Sequence, residues 1–142
     1  MYQVLEQAML LWEANSELIN FCQIEDSLKS NNLRPTTTIG SSLVTKANYH
    51  ASKETEPLIR AIKKHANEAS WLQTYSTSEV GEDFSNRHCY FELIGRKGHF
   101  YAEKMRVFIC YWGEYLNYKW HSHEAEEMFI FSGAKRDLEL RP

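Results

Sequence analysis

The stretch of sequence that decides the fold reads YKWHSHEAEE at residues 118–127. His121 and His123 lie two positions apart, so both imidazoles leave the same face if this stretch is a strand. Glu127 follows four positions later, roughly 13 Å from His123 in an extended chain, which is too far for both to bind one ion. The chain must therefore fold back at residues 124–126 before the imidazoles and the carboxylate can converge. The two glutamates of that turn are interpreted as solvated residues rather than ligands.

Two histidines and a carboxylate form a donor set for a divalent metal. Neutral imidazole and ionised carboxylate are the forms that bind metals, and the combination suits Fe(II) and related ions that keep open positions for substrate. A His-x-His pair alone is more often a pair of exposed strand residues, so its context decides. Here Gly113 and Gly133 flank the motif, and aromatic strands lie on both sides. This context favours a metal site with His121, His123 and Glu127 as ligands.

Upstream of this motif, residues 1–72 have the pattern of a helical region. Apolar residues recur at helical spacing within 4–12 and again within 18–22, and Asn15 stands between them as a candidate cap. A further helix is predicted at 55–71, where proline in the first turn is tolerated. The polar segment 27–42 predicts a loop. We have no functional interpretation of this region beyond a small helical cap.

The remaining residues, 73–142, predict short strands. A polar loop is predicted from Thr74 to Arg87, and a turn with a glycine at each end at residues 95–98. Strands are predicted at 89–94, 106–112, 116–123 and 128–131. Short strands without long helices between them are typical of an antiparallel barrel or sandwich. The predicted fold class is therefore α+β, with an antiparallel β-barrel after the helical region.

The composition excludes several classes of function. The chain has 142 residues and a net charge of −3, so it lacks the basic excess of a nucleic-acid-binding protein. Its longest apolar run, Val107–Trp112, is too short to span a bilayer, and the first residues lack the basic start of a secretory signal. Three widely spaced cysteines cannot all pair within the chain, and we expect free thiols in the reducing cytoplasm.

The order Gly113, His121-x-His123, Glu127, Gly133 resembles the first signature motif of the cupin superfamily. Two spacings depart from its commonest form, because the interval from Gly113 to His121 is longer and that from Glu127 to Gly133 is shorter. The resemblance implies a barrel whose metal ligands are His121, His123 and Glu127. It also implies that a further histidine ligand comes from a second motif downstream.

The wider sequence is similar to one cupin family, the dimethylsulfoniopropionate (DMSP) lyases of marine bacteria. The residues that carry this similarity lie at 90–95, 111–113 and 118–127. The family has a helical N-terminal region followed by a cupin barrel, which is the order predicted here. The resemblance implies that DMSP is the small-molecule substrate and that a β-elimination splits it into dimethyl sulfide and acrylate. It also implies a divalent transition metal as cofactor, one of Fe, Mn, Zn or Ni.

The resemblance also implies which side chain takes the proton. In these lyases one tyrosine lies three residues before the first histidine, and Tyr118 occupies that place. A second tyrosine lies two residues after the glutamate, and here Phe129 occupies that place. Phenylalanine has no hydroxyl and can neither bind metal nor accept a proton. Tyr118 is therefore the expected base.

One departure favours a different interpretation. Only nine residues follow Gly133, none of them histidine, so we expect a chain that is truncated or shifted in frame relative to its relatives. The unfinished barrel would leave an open strand edge near Met128–Phe131, through which two copies could pair as a homodimer. The alternative to the lyase is then a non-catalytic truncated cupin that binds metal weakly or pairs with another chain. A cupin isomerase or dioxygenase would use the same ligands but would not explain the wording of residues 118–127.

Overall fold

The computed structural model describes residues 1–116 and 126–133. Its helices are α1 (Tyr2–Glu13), α2 (Ser16–Phe21), α3 (Ser41–Val44), α4 (Glu56–His65), a 3₁₀ turn (Ala66–Glu68), α5 (Thr77–Val80) and α6 (Glu82–Arg87). Its strands are β1 (Lys29–Ser30), β2 (His88–Ile94), β3 (Phe100–Tyr101) and β4 (Val107–Trp112). In the described part of the chain, no helix is both long and apolar enough to cross a membrane.

The helical part of the prediction is confirmed, with shifted boundaries. Asn15 interrupts the first apolar run as predicted, because its side-chain oxygen accepts hydrogen bonds from the backbone N–H of Glu17 at 3.0 Å and Leu18 at 3.3 Å. That contact starts α2 and leaves α1 to pack against α4. The predicted end of α4 at Trp71 is wrong. The helix ends at His65, and the Trp71 indole N–H donates to the Ala66 carbonyl at 2.7 Å, which holds the chain in a tight return.

Two segments predicted as loops contain regular structure. The segment 27–42 includes β1, which exists through antiparallel pairing with β3. The polar segment before Arg87 folds into α5 and α6. A capping box starts α5. The Ser76 hydroxyl accepts a hydrogen bond from the Glu79 backbone N–H, and the Glu79 carboxylate accepts one from the Ser76 backbone N–H. The chain then turns through Gly81 at φ +85°, a conformation that glycine adopts without strain.

The strands form one sheet in the order β1-β3-β2-β4. The predicted strands at 89–94 and 106–112 are confirmed, and they pair antiparallel with His88 opposite Trp112. The predicted antiparallel barrel is not confirmed. In the described residues β2 and β3 pair in parallel, so the sheet is mixed, and it does not close into a barrel. The predicted strand at 116–123 lies almost wholly outside the described residues.

The predicted strand at 128–131 is wrong, because these residues have no regular structure. Their position is fixed by the two residues that follow rather than by a strand ladder. The Thr55 hydroxyl, at the start of α4, donates a hydrogen bond to the Ser132 carbonyl at 2.8 Å. Gly133 then packs against Tyr49 and Ile59. The segment is therefore held against the helical region at its far end.

The hydrophobic core lies between the helices and one face of β2 and β4. Trp71 meets Phe91 edge to face at 4.8 Å between ring centroids, which anchors this face. The fully buried side chains of the core come from both parts of the chain and include Val4, Val44, Cys89, Phe91, Leu93, Ile94 and Phe100. Successive strand residues point to opposite faces, so the other face of the sheet points away from this core, and α6 covers its His88 end through Phe84. The division of the chain at residue 72 into two regions stays a prediction.

Candidate functional site

The predicted site residues divide into described and undescribed ones. Tyr118, His121 and His123 lie outside the described residues. Glu127 is described and is exposed. Among the three predicted metal ligands, the structure therefore describes Glu127 alone.

The sheet face opposite the hydrophobic core carries a mixture of aromatic and polar side chains. We call it the open face, and it consists of His88, Tyr90 and Glu92 on β2 and Phe108, Cys110 and Trp112 on β4. The strand register brings its members together in pairs, with His88 opposite Trp112, Tyr90 opposite Cys110 and Glu92 opposite Phe108. In an ordinary sheet this side would be either apolar against a core or polar toward water. Ligand sites also combine aromatic and apolar walls with a few polar groups.

Glu127 lies next to the open face. Desolvation first, and the carboxylate charge of Glu127 second, raise the pKa of the Cys110 thiol to about 12, although Cys110 keeps exposed surface. Two residues further on, the Phe129 ring lies 6.2 Å from the Trp112 ring, centroid to centroid. Phe131 also reaches Trp112, at 6.5 Å. The segment that contains Glu127 therefore folds over the β4 side of the open face.

His88 is a residue of the open face that the sequence did not single out. Only 5% of it is exposed, its ring stacks on Phe84 at 4.7 Å, and its Nδ1 has no hydrogen-bond partner. Desolvation lowers the pKa of His88 to about 4. A histidine with this pKa is a neutral imidazole at neutral pH. Its signal in the sequence is weak, because a histidine at the start of a strand has no distinctive spacing.

The second carboxylate on the open face is already engaged. Glu92 is 5% exposed, and both of its oxygens accept hydrogen bonds from Arg106, at 3.2 Å from Nε and 3.1 Å from Nη2. The same guanidinium lies 4.6 Å above the Phe108 ring. The positive charge of Arg106 therefore balances the negative charge of Glu92. Arg106 therefore occupies the oxygens through which Glu92 could bind an ion.

Both glycines of the motif lie where the chain permits no side chain. A β carbon on Gly113 would come within 2.9 Å of Arg87 Cβ, and the Gly113 N–H donates to the Arg87 carbonyl at 2.8 Å. A β carbon on Gly133 would come within 2.8 Å of Tyr49 Cδ1. The glycines thus hold the two ends of the motif close to the scaffold.

A divalent metal fits the described part of the donor set. Glu127 offers exposed carboxylate oxygens at the edge of a partly aromatic face, and carboxylate is a ligand for Fe, Mn, Zn and Ni. Within residues 1–116 and 126–133, no three histidine, cysteine or acidic side chains are close enough together to hold an ion. The remaining ligands would therefore include residues outside these ranges, and the motif places His121 and His123 there.

Comparison with known proteins agrees with this architecture. A solved structure from a study of the DMSP lyases RdDddP and RnDddQII is 33% identical, covers 79% of this chain and 57% of its own, and superposes with a TM-score of 0.76. The DMSP lyase DddQ from Ruegeria pomeroyi DSS-3 superposes with a TM-score of 0.71 over 78% of this chain and 56% of its own; at 23% identity, this likeness concerns the fold alone. The helical layer and sheet therefore resemble those of solved DMSP lyases.

The sequence comparisons define the family. The model of the dimethylsulfoniopropionate lyase family matches residues 20–136, most of the chain and the whole predicted motif. The curated DMSP lyase DddQ of Ruegeria pomeroyi is 38% identical over 66 residues, which are 46% of this chain and 33% of that protein. The chain belongs to the DMSP lyase family. It spans about a third of the length of this curated relative.

Proposed function

We propose that this protein is a DMSP lyase, which splits DMSP by β-elimination into dimethyl sulfide and acrylate. The observation that carries the proposal is the family match across residues 20–136, which includes Tyr118, both histidines of the motif and Glu127. The position of Glu127 beside a mixed aromatic and polar sheet face supports it. A small zwitterion requires both apolar and charged partners, and this part of the structure offers both.

In the proposed site, His121, His123 and Glu127 hold a divalent transition metal, one of Fe, Mn, Zn or Ni. When bound, the metal supplies positive charge that holds the substrate carboxylate and stabilises negative charge developing at the α carbon. The protein's own contribution is to orient these ligands. Gly113 and Gly133 do so by fixing both ends of the motif against the scaffold.

Tyr118 is the proposed general base. Its phenolate accepts the α-proton, the electrons of that C–H bond form the double bond of acrylate, and the bond between the β carbon and sulfur breaks. The sulfur leaves with that electron pair as dimethyl sulfide, so charge and atoms balance. Phe129 has no hydroxyl and cannot share this task. A cation bound close to Tyr118 would favour its phenolate form.

One observation favours a second candidate function, a non-catalytic cupin that binds metal weakly or pairs with another chain. Within the described residues β4 is an edge strand of the sheet, and an edge strand can pair with a strand of a second copy. The neighbouring side chains from Met128 to Phe131 are 40 to 51% exposed. A homodimer formed here would therefore use the edge of β4 rather than the strand predicted at 128–131.

We also propose that the protein acts in the cytoplasm without nucleic acid partners. All three cysteines are free, which suits a reducing compartment. Cys89 is fully buried, and desolvation raises the pKa of its thiol to about 12, so this sulfur is unreactive as well as unpaired.

The test is acrylate release from DMSP by purified protein supplied with Fe(II), Mn(II), Zn(II) or Ni(II). We expect release that depends on metal and disappears in a His121→Ala/His123→Ala variant. Sedimentation of the same preparation gives the oligomeric state. Metal binding without acrylate release under any of these ions would instead support the non-catalytic cupin.

A further inference from the structure

The open face and the segment that crosses it share a compact group of aromatic rings. Trp112, Phe129 and Phe131 form this group, which we call the aromatic cluster. Phe129 and Phe131 are nearly parallel, with 15° between ring planes and 6.1 Å between centroids, and both reach Trp112. Phe129 is 51% exposed and Phe131 is 44% exposed. Large ring faces are thus open beside a carboxylate.

Aromatic faces attract cations, because the ring quadrupole places negative charge above and below the ring plane. Elsewhere in the structure, ring faces of this kind are already covered by basic side chains. Lys63 lies 5.4 Å over the Tyr49 ring, and Arg106 lies 4.6 Å over the Phe108 ring. Phe129 and Phe131 instead follow Glu127 in the chain, and the charge nearest to Phe129 in sequence is negative.

The chemistry of the proposed substrate matches this arrangement. DMSP carries a sulfonium with two methyl groups at one end and a carboxylate at the other. If the carboxylate end lies at the metal, the sulfonium lies close to the positive charge of the metal and is repelled by it. A wall that attracts cations offsets this repulsion. Aromatic rings attract a methylated cation and also bury its methyl groups.

The dimensions match as well. Glu127 and Phe129 are two positions apart, which is at most about 7 Å along the chain. Three bonds separate the sulfur of DMSP from its carboxylate carbon. A ligand whose carboxylate is held near Glu127 therefore places its sulfonium within reach of the Phe129 ring, and the Phe131 ring lies 6.1 Å from that ring.

We propose that the aromatic cluster binds the dimethylsulfonio group of the substrate and makes the site selective for methylated cations. This inference rests on the proposed function for the identity of the substrate. It assigns the cluster a part in specificity that is separate from metal binding and proton transfer.

The test compares two ligands of the same shape and different charge. The cationic probe is 3-(trimethylammonio)propionate, and its neutral counterpart is 4,4-dimethylpentanoate, in which carbon replaces nitrogen. Titration calorimetry of the metal-loaded protein gives both affinities without any turnover. A cation–π contribution of the usual size makes the cation bind about 2- to 30-fold more tightly.

Phe129→Leu and Phe131→Leu should each reduce this preference, because leucine keeps apolar volume and removes the ring. Both positions are exposed, so the variants should fold. Phe108→Leu is the matched control on the same sheet face, since the Phe108 ring is already covered by Arg106. It should keep the preference of the wild type.

Equal affinity of wild type for the two probes would overturn the proposal, and so would a preference that survives both leucine variants or an absence of binding. The acrylate assay separates this result from the proposed function. Acrylate release without a cation preference refutes the cluster and keeps the lyase. A cation preference that depends on the rings, without acrylate release, keeps the cluster and refutes the lyase.

Discussion

Gly133 lies directly against the ring of Tyr49, at a distance where an added β carbon would meet Tyr49 Cδ1 at 2.8 Å. The ring cannot move aside easily, because the Tyr49 hydroxyl donates a hydrogen bond to the Val44 carbonyl at 2.9 Å. We therefore expect Gly133→Ala to destabilise the protein by about 1–3 kcal/mol, the usual cost of overpacking. Urea unfolding measures this. Ser132→Ala is the control, because it keeps the backbone carbonyl that accepts a hydrogen bond from the Thr55 hydroxyl. Equal stability of Gly133→Ala and wild type would contradict the prediction.

Metal content should depend on the two histidines of the motif. We expect His123→Ala to lose most of the bound metal, because the other two ligand side chains hold an ion weakly. Elemental analysis after gel filtration measures the loss, and a chelator should strip wild type easily. His65→Ala is the matched control, because the His65 ring contacts Glu68 and Gln3 in the helical region rather than the motif. The same metal content in wild type and in a His121→Ala/His123→Ala variant would disprove this site.

Tyr118→Phe should abolish measurable acrylate release. Loss of a general base typically lowers the rate by about a hundred- to ten-thousand-fold. Tyr115→Phe provides a close control, since Tyr115 is three positions away and 91% exposed. It should keep wild-type activity. Full activity in Tyr118→Phe would require another base.

Phe129→Tyr should raise kcat. The substitution keeps the ring that faces Trp112 and adds a hydroxyl where related lyases have one, two residues after the proposed ligand Glu127. Steady-state acrylate release measures the gain, and Phe129→Leu, which removes the ring, should show none. An unchanged kcat in Phe129→Tyr would mean that this position lies outside hydrogen-bond reach of the reacting atoms.

Acidification should unfold the protein partly through His88. Its pKa is lowered by desolvation to about 4, below the usual value of about 6.5, so the unfolded chain binds a proton more readily than the folded one. Stability from this residue is therefore constant above pH 6.5 and falls as the pH drops toward 4. Between pH 7.5 and 5 the expected loss is about 2 kcal/mol.

His88→Phe isolates that contribution. Phenylalanine keeps the stack on Phe84 and removes only groups that titrate or, at Nδ1, lack a partner. Urea unfolding at both pH values should show a smaller pH dependence in this variant. His99, whose pKa burial also lowers, should account for part of what remains. An identical pH dependence in wild type and His88→Phe would exclude His88 as the cause.

Much of the fold could be predicted because it rests on local pattern. Asn15 is a helix cap by residue type, and the runs that became β2 and β4 are dense in β-branched and aromatic residues. The elements that escaped prediction depend on distant partners. The two residues of β1 are a strand only because β3 lies beside them.

The site was predictable to a different extent. The spacing of the motif identifies candidate ligands, which stay a prediction, and Glu127 lies beside the sheet. The burial of His88 and the gathering of three rings across residues 112–131 follow from strand register and from the course of the chain after the motif. Neither feature produces a periodic pattern of residues in the sequence. Ser76 and Glu79 did form a visible capping pattern, but no apolar run followed it to mark a helix.

The hydrogen bond from the Thr55 hydroxyl to the Ser132 carbonyl joins residues 77 positions apart. Closing so long a loop costs more conformational entropy than forming a helix turn, so this contact belongs to the end of folding. Ribosomes add about 5–20 residues per second, which separates the synthesis of the two partners by roughly 4 to 15 s. The start of α4 is therefore made, and has time to fold, before the segment that docks on it exists.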